Sequence, residues 1–297
     1  MTMKKTCTLF PLFMALLLLA ACEKVSIDDL NKEDPEERND GVKLTFRVMS
    51  FEQTRFNDPT TVTRAAVRDV CDKINLALYD MENNRLKAVN QKADDENFGS
   101  LSLSIEPGTY RVLILAHSCS GNATTTNIEK ITFPDNKVTD TFYYCAEIEV
   151  DDQKTYDVEL RRVVAMFKLV VSDEIPSDVK KMKFYYTGGS STLNGLTGYG
   201  CVNSKQTEIR NVSSTAKGQE FCAYTFLHGE EGTLKMTVTA QDAADGTVKE
   251  MLFTDVPMRR NTISQFSGSL FTGGSSGQTT FALTADANWE GTSAYTY

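Results

Sequence analysis

From residue 42 onward, apolar and polar residues alternate along most of the chain. A period of two is typical of β-strands that bury one face and expose the other. The strongest hairpin signal is SLSLSIEPGTYRVLILAHS (100–118), in which a Pro-Gly pair predicts a tight turn between two strands. VTRAAVRDVCDKI (62–74) has room for one turn of helix, and STLNGLTGYGCVN (191–203) is interpreted as a long irregular loop. The pattern therefore predicts an all-β protein.

The spacing of the strands favours two β-sandwiches in tandem. Short strands separated by turns at short intervals are typical of this architecture. We place the first sandwich at residues 42–158 and the second at residues 159–271. The boundary falls inside one continuous strand pattern, TYDVELRRVVAMFKLVVSD (155–173), so no flexible linker is expected there.

The last segment, residues 272–297, combines a linker with an alternating stretch. GGSSGQ (273–278) has the composition of a flexible linker. Beyond it, Phe281, Leu283 and Trp289 share one parity, which predicts a strand with an apolar face. Such a strand either is donated to another subunit or folds back onto its own C-terminal sandwich, and folding back is the commoner arrangement.

The N-terminus has the features of a lipoprotein signal. A short positive region precedes an apolar run that ends at Ala21. The run is shorter than the about 20 residues that a membrane helix needs, and it has the proportions of a signal peptide, residues 1–21. LAAC (19–22) resembles a bacterial lipobox, in which cleavage between Ala21 and Cys22 leaves Cys22 to carry lipid. The alternative is an ordinary cleavage site beside a cysteine. Acyl chains on one residue anchor a protein to a membrane.

Residues 22–41 are acidic and poor in aromatic residues. Such a segment cannot bury enough apolar surface to offset the entropy of ordering, so we interpret it as a solvated tether. The whole chain has a formal net charge of −9 at pH 7. This acidity argues against nucleic acid and anionic lipid headgroups as partners, and it suits a soluble surface domain.

No pattern in the chain demands catalysis, a cofactor or a metal. The cysteines beyond Cys22 lack the C-x-x-C spacing of a zinc site, and their odd number leaves any disulfide pairing open. Cys119 lies two residues from His117, and we favour a structural thiol beside an incidental histidine. DAADG (242–246) lacks the rest of a calcium loop. We therefore expect a non-enzyme without catalytic, cofactor-binding or metal-binding residues.

Five blocks of the sequence carry a family resemblance. They are KINLALYD (73–80), SIEPGTYRVLILAH (104–117), VELRRVVAMFKLVV (158–171), MKFYYTGGSSTLNG (182–195) and VPMRRNTISQFSGSLF (256–271). Together these blocks resemble the fimbrillin-like proteins of Bacteroidales, and especially their FimB-type fimbrial anchor subunits. The resemblance extends over roughly residues 42–271, and the order and spacing of the blocks are more specific than any single block.

The resemblance implies a fold, a location and a set of partners. It implies two tandem sandwiches with transthyretin-like topology, and assembly with other fimbrial subunits by β-strand exchange. It also implies a protein of the fimbrium, attached to the cell outer membrane through lipidated Cys22. An edge strand templates an added strand through its unpaired N–H and C=O groups, so this kind of assembly needs no catalytic group.

Two alternatives remain open at the level of sequence. In stalk members of the family, cleavage after an arginine removes the first strand, and Arg64 in VTRAAV (62–67) is a candidate for such cleavage in a polar loop. An anchor held by Cys22 must keep its N-terminus, so cleavage distinguishes a stalk or tip subunit from an anchor. The second alternative is a surface lipoprotein that binds a glycan or a host protein. Tyr143-Tyr144 and Tyr185-Tyr186 fit a sugar platform, although paired aromatics on a strand more often place one ring in the core and one outside.

Overall fold

The computed structural model describes residues 41–51, 64–272 and 282–284 of the 297-residue chain. It is almost entirely β-structure, as the alternation predicts. One helix, α1, spans Arg64–Val70, and a 3-10 turn spans Pro134–Asn136. The strands are β1 (Val42–Phe51), β2 (Lys73–Tyr79), β3 (Arg85–Lys92), β4 (Ser100–Ile105), β5 (Gly108–His117), β6 (Ile131–Thr132), β7 (Phe142–Val150), β8 (Lys154–Arg162), β9 (Val164–Val171), β10 (Lys181–Thr187), β11 (Thr192–Asn194), β12 (Tyr199–Gly200), β13 (Gln206–Asn211), β14 (Gln219–Phe226), β15 (Glu231–Gln241), β16 (Thr247–Arg259), β17 (Ile263–Gly268) and β18 (Ala282–Thr284).

The N-terminal sandwich is built from strands β1–β5, β7 and β8. Its strands follow the order β3-β2-β5-β7-β8-β1-β4. β7 and β8 pair only at Phe142↔Arg162 and Tyr143↔Arg161. The sheet therefore bends at this corner into a four-stranded layer and a three-stranded layer that share one apolar core. Phe46 and Leu160 come from one layer of this core, and Ile114 comes from the other.

The C-terminal sandwich has two four-stranded sheets. One has the order β13-β10-β15-β16 and the other the order β14-β9-β17-β18. Phe167 of β9 lies at the centre of the core, where its ring contacts Phe184, Phe253 and Phe266 with centroids 5.5 to 6.1 Å apart. The prediction of sandwich-type packing is confirmed, because each set of strands buries the apolar side of its alternating pattern.

The two sandwiches meet at a seam without a loop. Only Val163 separates the end of β8 from the start of β9. A third apolar cluster fills the seam, with Leu115 from the N-terminal sandwich and Phe226 from the C-terminal sandwich. Arg162 donates two hydrogen bonds to the Asp140 carboxylate, at 2.8 and 2.9 Å, and one to Asn261 Oδ1 at 3.1 Å. This buried guanidinium therefore links residues on both sides of the seam.

The segment at 191–203 is not the irregular loop that its composition predicts. It contains the short hairpin of β11 and β12, and β11 also pairs with β6. Asn194 Oδ1 accepts hydrogen bonds from the N–H groups of Leu196 and Thr197, which closes the turn. Gly198 has a φ of +75°, a conformation that glycine adopts without strain. The strands are too short to produce a visible alternation, which explains the wrong prediction.

Candidate strand-exchange interfaces

β1 lies in the interior of its sheet. It pairs with β4 in the antiparallel sense on one side and with β8 in the parallel sense on the other. Leu44 and Phe46 are fully buried, and the Phe46 ring stacks on Tyr156 at 5.1 Å. On the outer face, the Arg47 guanidinium forms two hydrogen bonds to the Asp157 carboxylate of β8. β1 is therefore held by backbone pairing on both edges and by contacts on both faces.

The burial of β1 limits how this strand can be removed or replaced. Leu44, Phe46, Val48 and Phe51 all point into the core. Burying a large apolar side chain contributes about 1.5–3 kcal/mol, so these four contribute a sum comparable to the whole stability of an ordinary domain, about 5–15 kcal/mol. Removing β1 would also leave two strands with unpaired edges. The sandwich can lose this strand only if another strand with the same pattern replaces it.

Arg64, the candidate processing residue, is the first residue of α1 and does not lie in a loop. The helical turn allowed by the sequence is therefore present. Val67 is buried, and the Arg68 guanidinium donates hydrogen bonds of 2.8 Å to the carbonyls of Ala93 and Asp95. α1 is thus attached to the turn between β3 and β4. A protease that binds extended peptides would have to unwind the start of this helix before it could cut after Arg64.

The tail returns to its own C-terminal sandwich. β18 pairs antiparallel with β17, and Leu283 lies opposite Phe266. On its other edge β17 pairs in parallel with β9. Of the two arrangements considered for the tail, the structure contains the fold-back form. Phe281 and Trp289 lie outside the described residues, as do Ala21, Cys22 and the acidic tether.

Asp173 fixes the point at which the chain leaves the C-terminal sandwich. Its carboxylate accepts hydrogen bonds from the N–H groups of Leu270, Phe271 and Thr272, at 2.7 to 2.9 Å, and from Thr272 Oγ1 at 3.1 Å. Burial by itself raises the pKa of a carboxyl group, but these hydrogen bonds outweigh it and lower the pKa of Asp173. Sequence reasoning missed this residue because its partners are about a hundred positions away and no local pattern connects them.

The environments of the described cysteines and of His117 bear on whether these side chains could be reactive. The cysteines of the described ranges are all free. Burial raises the pKa of Cys71 to about 12 and that of Cys145 to about 11, so neither is a thiolate at neutral pH. The Cys119 N–H donates a hydrogen bond to His117 Nδ1 at 3.2 Å. Within the part of the chain that the structure describes, no group of His, Cys, Asp and Glu side chains is arranged to hold a metal ion. None of the helical segments there has the length and hydrophobicity that a membrane span requires.

Comparison with known sequences identifies the family of the chain. A family model described as "Family of unknown function (DUF6562)" matches residues 35–296. The chain belongs to this family. The match covers both sandwiches and most of the tail. No curated protein matches the sequence.

Solved structures share the fold of this DUF6562 protein at low identity. One, described as a proposed polysaccharide-binding protein from Bacteroides thetaiotaomicron, is 10% identical with a TM-score of 0.53, over 86% of this chain and 98% of that chain. A proposed adhesin from Bacteroides ovatus is 13% identical with a TM-score of 0.50, over 81% and 93%. The fimbrial anchor protein Mfa2 from Porphyromonas gingivalis is 8% identical with a TM-score of 0.46, over 84% and 98%. At these identities the likeness concerns the fold.

Proposed function

We propose that this protein is a structural subunit of a fimbria on the cell surface, and that it joins its neighbours by β-strand exchange. The observation that carries the proposal is the difference between the two ends of the fold. An interior strand, β1, is replaceable only by a strand of the same pattern, whereas a three-residue strand, β18, covers part of the edge of β17. The proposed adhesin with the same fold supports a role in adhesion.

The more specific form of the proposal is a base anchor of the FimB type. In this form the two sandwiches have transthyretin-like topology, lipid on Cys22 holds the protein in the outer membrane, and the body extends outward beyond the tether. The chain is not cut after Arg64, because a cut there would separate the body from its lipid. No catalytic step is part of this function.

Deletion of the gene, followed by electron microscopy of cells and culture medium, tests the anchor role. Long filaments shed into the medium are expected for an anchor. Loss of all filaments would instead indicate a stalk or nucleating subunit. Filaments of unchanged length and attachment would overturn the fimbrial proposal altogether. The mass of the mature protein provides an independent check, since a chain that begins at residue 65 would exclude the anchor form.

A disulfide lock tests whether the tail is a donor strand. Gln265 of β17 lies opposite Thr284 of β18, and antiparallel partners are close enough for a disulfide. If the tail must leave β17 in order to pair with a neighbour, Gln265→Cys combined with Thr284→Cys should block assembly under oxidising conditions, and reduction should restore it. The single variants are the controls. Equal assembly of the locked and reduced chains would show that the tail stays in place.

A further inference from the structure

The outer edge of β4 has unpaired backbone groups. Gly99, just before β4, accepts a hydrogen bond from the Val48 N–H at 2.9 Å, so Gly99 faces β1. Because successive residues of an antiparallel strand face opposite neighbours, Ser102 and Ser104 direct their N–H and C=O groups away from β1. β4 is the last strand of its sheet, and these four groups have no hydrogen-bond partner among the described residues. The edge is therefore able to pair with one more strand.

The other long edges carry features that discourage an added strand. β3 contains Arg85, Lys87 and Lys92, and its register with β2 shifts once. β16 contains Pro257, and its register with β15 shifts twice. Charged side chains, bulges and prolines are the means by which natural edge strands avoid pairing. β6, β12 and β18 are only two or three residues long.

Side chains close the edges of β13 and β14. Arg210 Nε donates to the Cys222 carbonyl at 3.0 Å, and the Tyr186 hydroxyl donates to the Tyr224 carbonyl at 2.8 Å. Arg210 also donates to the buried Glu208 carboxylate of β13 at 2.8 Å, so its guanidinium contacts both strands. By contrast, β4 has the sequence SLSLSI, without a charge or a proline, and its register with β1 does not shift.

The N-terminal sandwich has one strand fewer in the layer that contains β4. The other layer has four strands, β3-β2-β5-β7, whereas β8-β1-β4 has three. β3 is exposed along most of its length, and its Val89 packs only partly against the core. Because the layers of a sandwich lie about 10 Å apart, a strand added beside β4 would face β3 and bury apolar side chains against Val89 and Leu103. Lys87 shares the face of Val89, and a lysine at such a rim packs its stem while its ammonium group stays in water.

We propose that the open edge of β4 accepts the tail strand of a second copy of this chain, residues 279–285 (TTFALTA). The inference rests on the proposed function, because it names the acceptor of the donated strand. The segment has no charged residue, as β4 has none, so pairing buries no charge on this edge. Phe281 and Leu283 share one parity, which suits the apolar side of the added strand.

Hydroxyl groups match on the solvent side of the same pair. Thr45 of β1 and Ser102 of β4 already lie opposite each other, with their hydroxyl oxygens 2.9 Å apart. Thr280 and Thr284 have the parity opposite to the apolar residues, so they would lie beside the serines on the other edge of β4. Cross-strand pairs of threonine and serine stabilise a sheet through such hydrogen bonds.

The position of the tail favours a contact that repeats from copy to copy. Asp173 holds the chain at Thr272, and residues 273–278 span at most about 20 Å, so the next segment can reach a neighbour while its own sandwich stays folded. A tail that pairs with β4 makes a heterologous contact, which extends into a filament. Pairing of β4 with a second β4 would close at two copies instead. The acidic tether would bring carboxylates to an uncharged edge.

Photo-cross-linking of the full chain in detergent tests the proposal. Copies with Ser104→p-benzoylphenylalanine are mixed with ¹⁵N-labelled parent copies, irradiated and digested with trypsin. We expect mixed-isotope adducts that join residues 93–111 of one copy to residues 261–297 of another. The disulfide lock of Gln265→Cys with Thr284→Cys, placed in the labelled copies, should lower the yield at least tenfold, and reduction should restore it.

Proline substitutions locate the acceptor on one edge. Ser102→Pro removes an N–H that points away from β1, so it leaves the pairing with β1 in place and should lower the yield at least tenfold. Ala88→Pro is the matched control, because the Ala88 N–H points away from β2 on the opposite edge of the sandwich. Its yield should stay within twofold of the parent. Leu283→Asp in the labelled copies should also lower the yield at least tenfold. Thermal unfolding of each variant checks that the fold is intact.

Several outcomes would overturn the inference. These are the absence of mixed-isotope adducts, adducts to β4 or to the tether instead of the tail, and an equal loss in Ala88→Pro. Failure of the acceptor and failure of the proposed function are distinguishable. If gene deletion releases or abolishes filaments but no tail adduct forms, the fimbrial role stands and this acceptor is wrong. If deletion leaves filaments unchanged while the tail adduct forms, the acceptor is correct and the fimbrial role is wrong.

Discussion

The first and last described strands of this protein are held in different ways. β1 has ten residues, pairs on both edges and places four apolar side chains in the core. β18 has three residues and pairs on one edge with β17. Backbone pairing alone contributes little net free energy, whereas buried side chains contribute most of it. The comparison teaches that β1 is part of what makes its sandwich fold, while β18 contributes much less to the stability of its own sandwich.

Among single substitutions, the largest effect should come from the core contact of β1. Phe46→Ala removes a fully buried ring, so the free energy of unfolding should fall by about 3–5 kcal/mol. Met49→Ala, on the solvent side of the same strand, should change it by less than about 0.5 kcal/mol. Urea denaturation of both variants measures the difference. Similar values for the two would mean that β1 is not held by its buried face.

As the pH falls, the N-terminal sandwich should lose stability at a higher pH than the hydrogen bonds of Asp173 at the start of the tail. His117 is buried; its Nε2–H donates to Asn75 Oδ1 at 2.8 Å, and its Nδ1 accepts from the Cys119 N–H, so the ring is held neutral. Burial, followed by the charge of Lys73, lowers the pKa of His117 to about 4. The unfolded chain, with a histidine pKa of about 6.5, binds the proton more readily. Stability should therefore fall as the pH drops from about 6.5 to about 4, by on the order of 3 kcal/mol.

Urea unfolding of the parent chain and of His117→Gln at pH 7, 5.5 and 4.5 measures how the free energy of unfolding depends on pH. The variant should be less stable at pH 7 and should lose most of the dependence on pH in this range. A parent chain with constant stability down to pH 4.5 would contradict the assignment.

Asp173 acts in a lower pH range than His117. The pKa of Asp173 is lowered in the folded state, so its contribution to stability persists at neutral pH and is lost only as the pH falls below about 4.

Asp173→Asn should have an intermediate effect on the C-terminal sandwich. Hydrogen bonds to a charged group contribute about 1.5–3 kcal/mol, and the substitution removes the charge that four of them share. We expect a loss of about this size in chemical denaturation and faster proteolysis near residue 272. Asp178→Asn, at an exposed position five residues later, is the control. Unchanged proteolysis would show that the exit of the tail is fixed by other contacts.

The smallest effect should come from removing the tail. A chain that ends at Thr272 loses the pairing of β18, and a few exposed backbone hydrogen bonds contribute about 1–2 kcal/mol in total. Circular dichroism during thermal unfolding measures the change.

The matching truncation at the other end is a chain that begins at residue 52. It should fail to fold, because it lacks β1. If the tail deletion proved as damaging as the β1 deletion, the contrast between the two strands would be wrong.

Alternation along the chain was enough to predict the long strands but not the details that define the interfaces. β1 and β10 have clear alternating burial, because each has one face toward solvent and one toward the core. β5 does not alternate, because its residues from Val112 to His117 are all buried. The expectation that one ring of Tyr185-Tyr186 lies in the core and the other outside agrees with the structure, in which Tyr186 is buried and Tyr185 is exposed. The neighbours of Tyr185 depend on register, which a single sequence does not specify when the paired residues, Thr207 and Thr237, are far along the chain.

Other features depend on contacts that no local pattern contains. The helix at Arg64 has seven residues, about two turns, and is positioned by Val67 and Arg68, so its start could not be located from composition. Asp173 acts on residues 270–272 from the end of a different strand. In both places tertiary contacts, and not local propensity, determine the conformation.

The parallel pairing of β1 with β8 has a mechanical consequence. A filament under flow would pull the N-terminal end of β1 in one direction, while β8 would be pulled in the opposite direction through its C-terminal end, which continues into β9. Parallel strands loaded from opposite ends slide along each other, so their hydrogen bonds carry the force together in shear. Strands pulled from the same end would separate one bond at a time, at a much lower force. The N-terminal sandwich is thus oriented to resist tension along the path that would connect a tethered N-terminus to the rest of the protein.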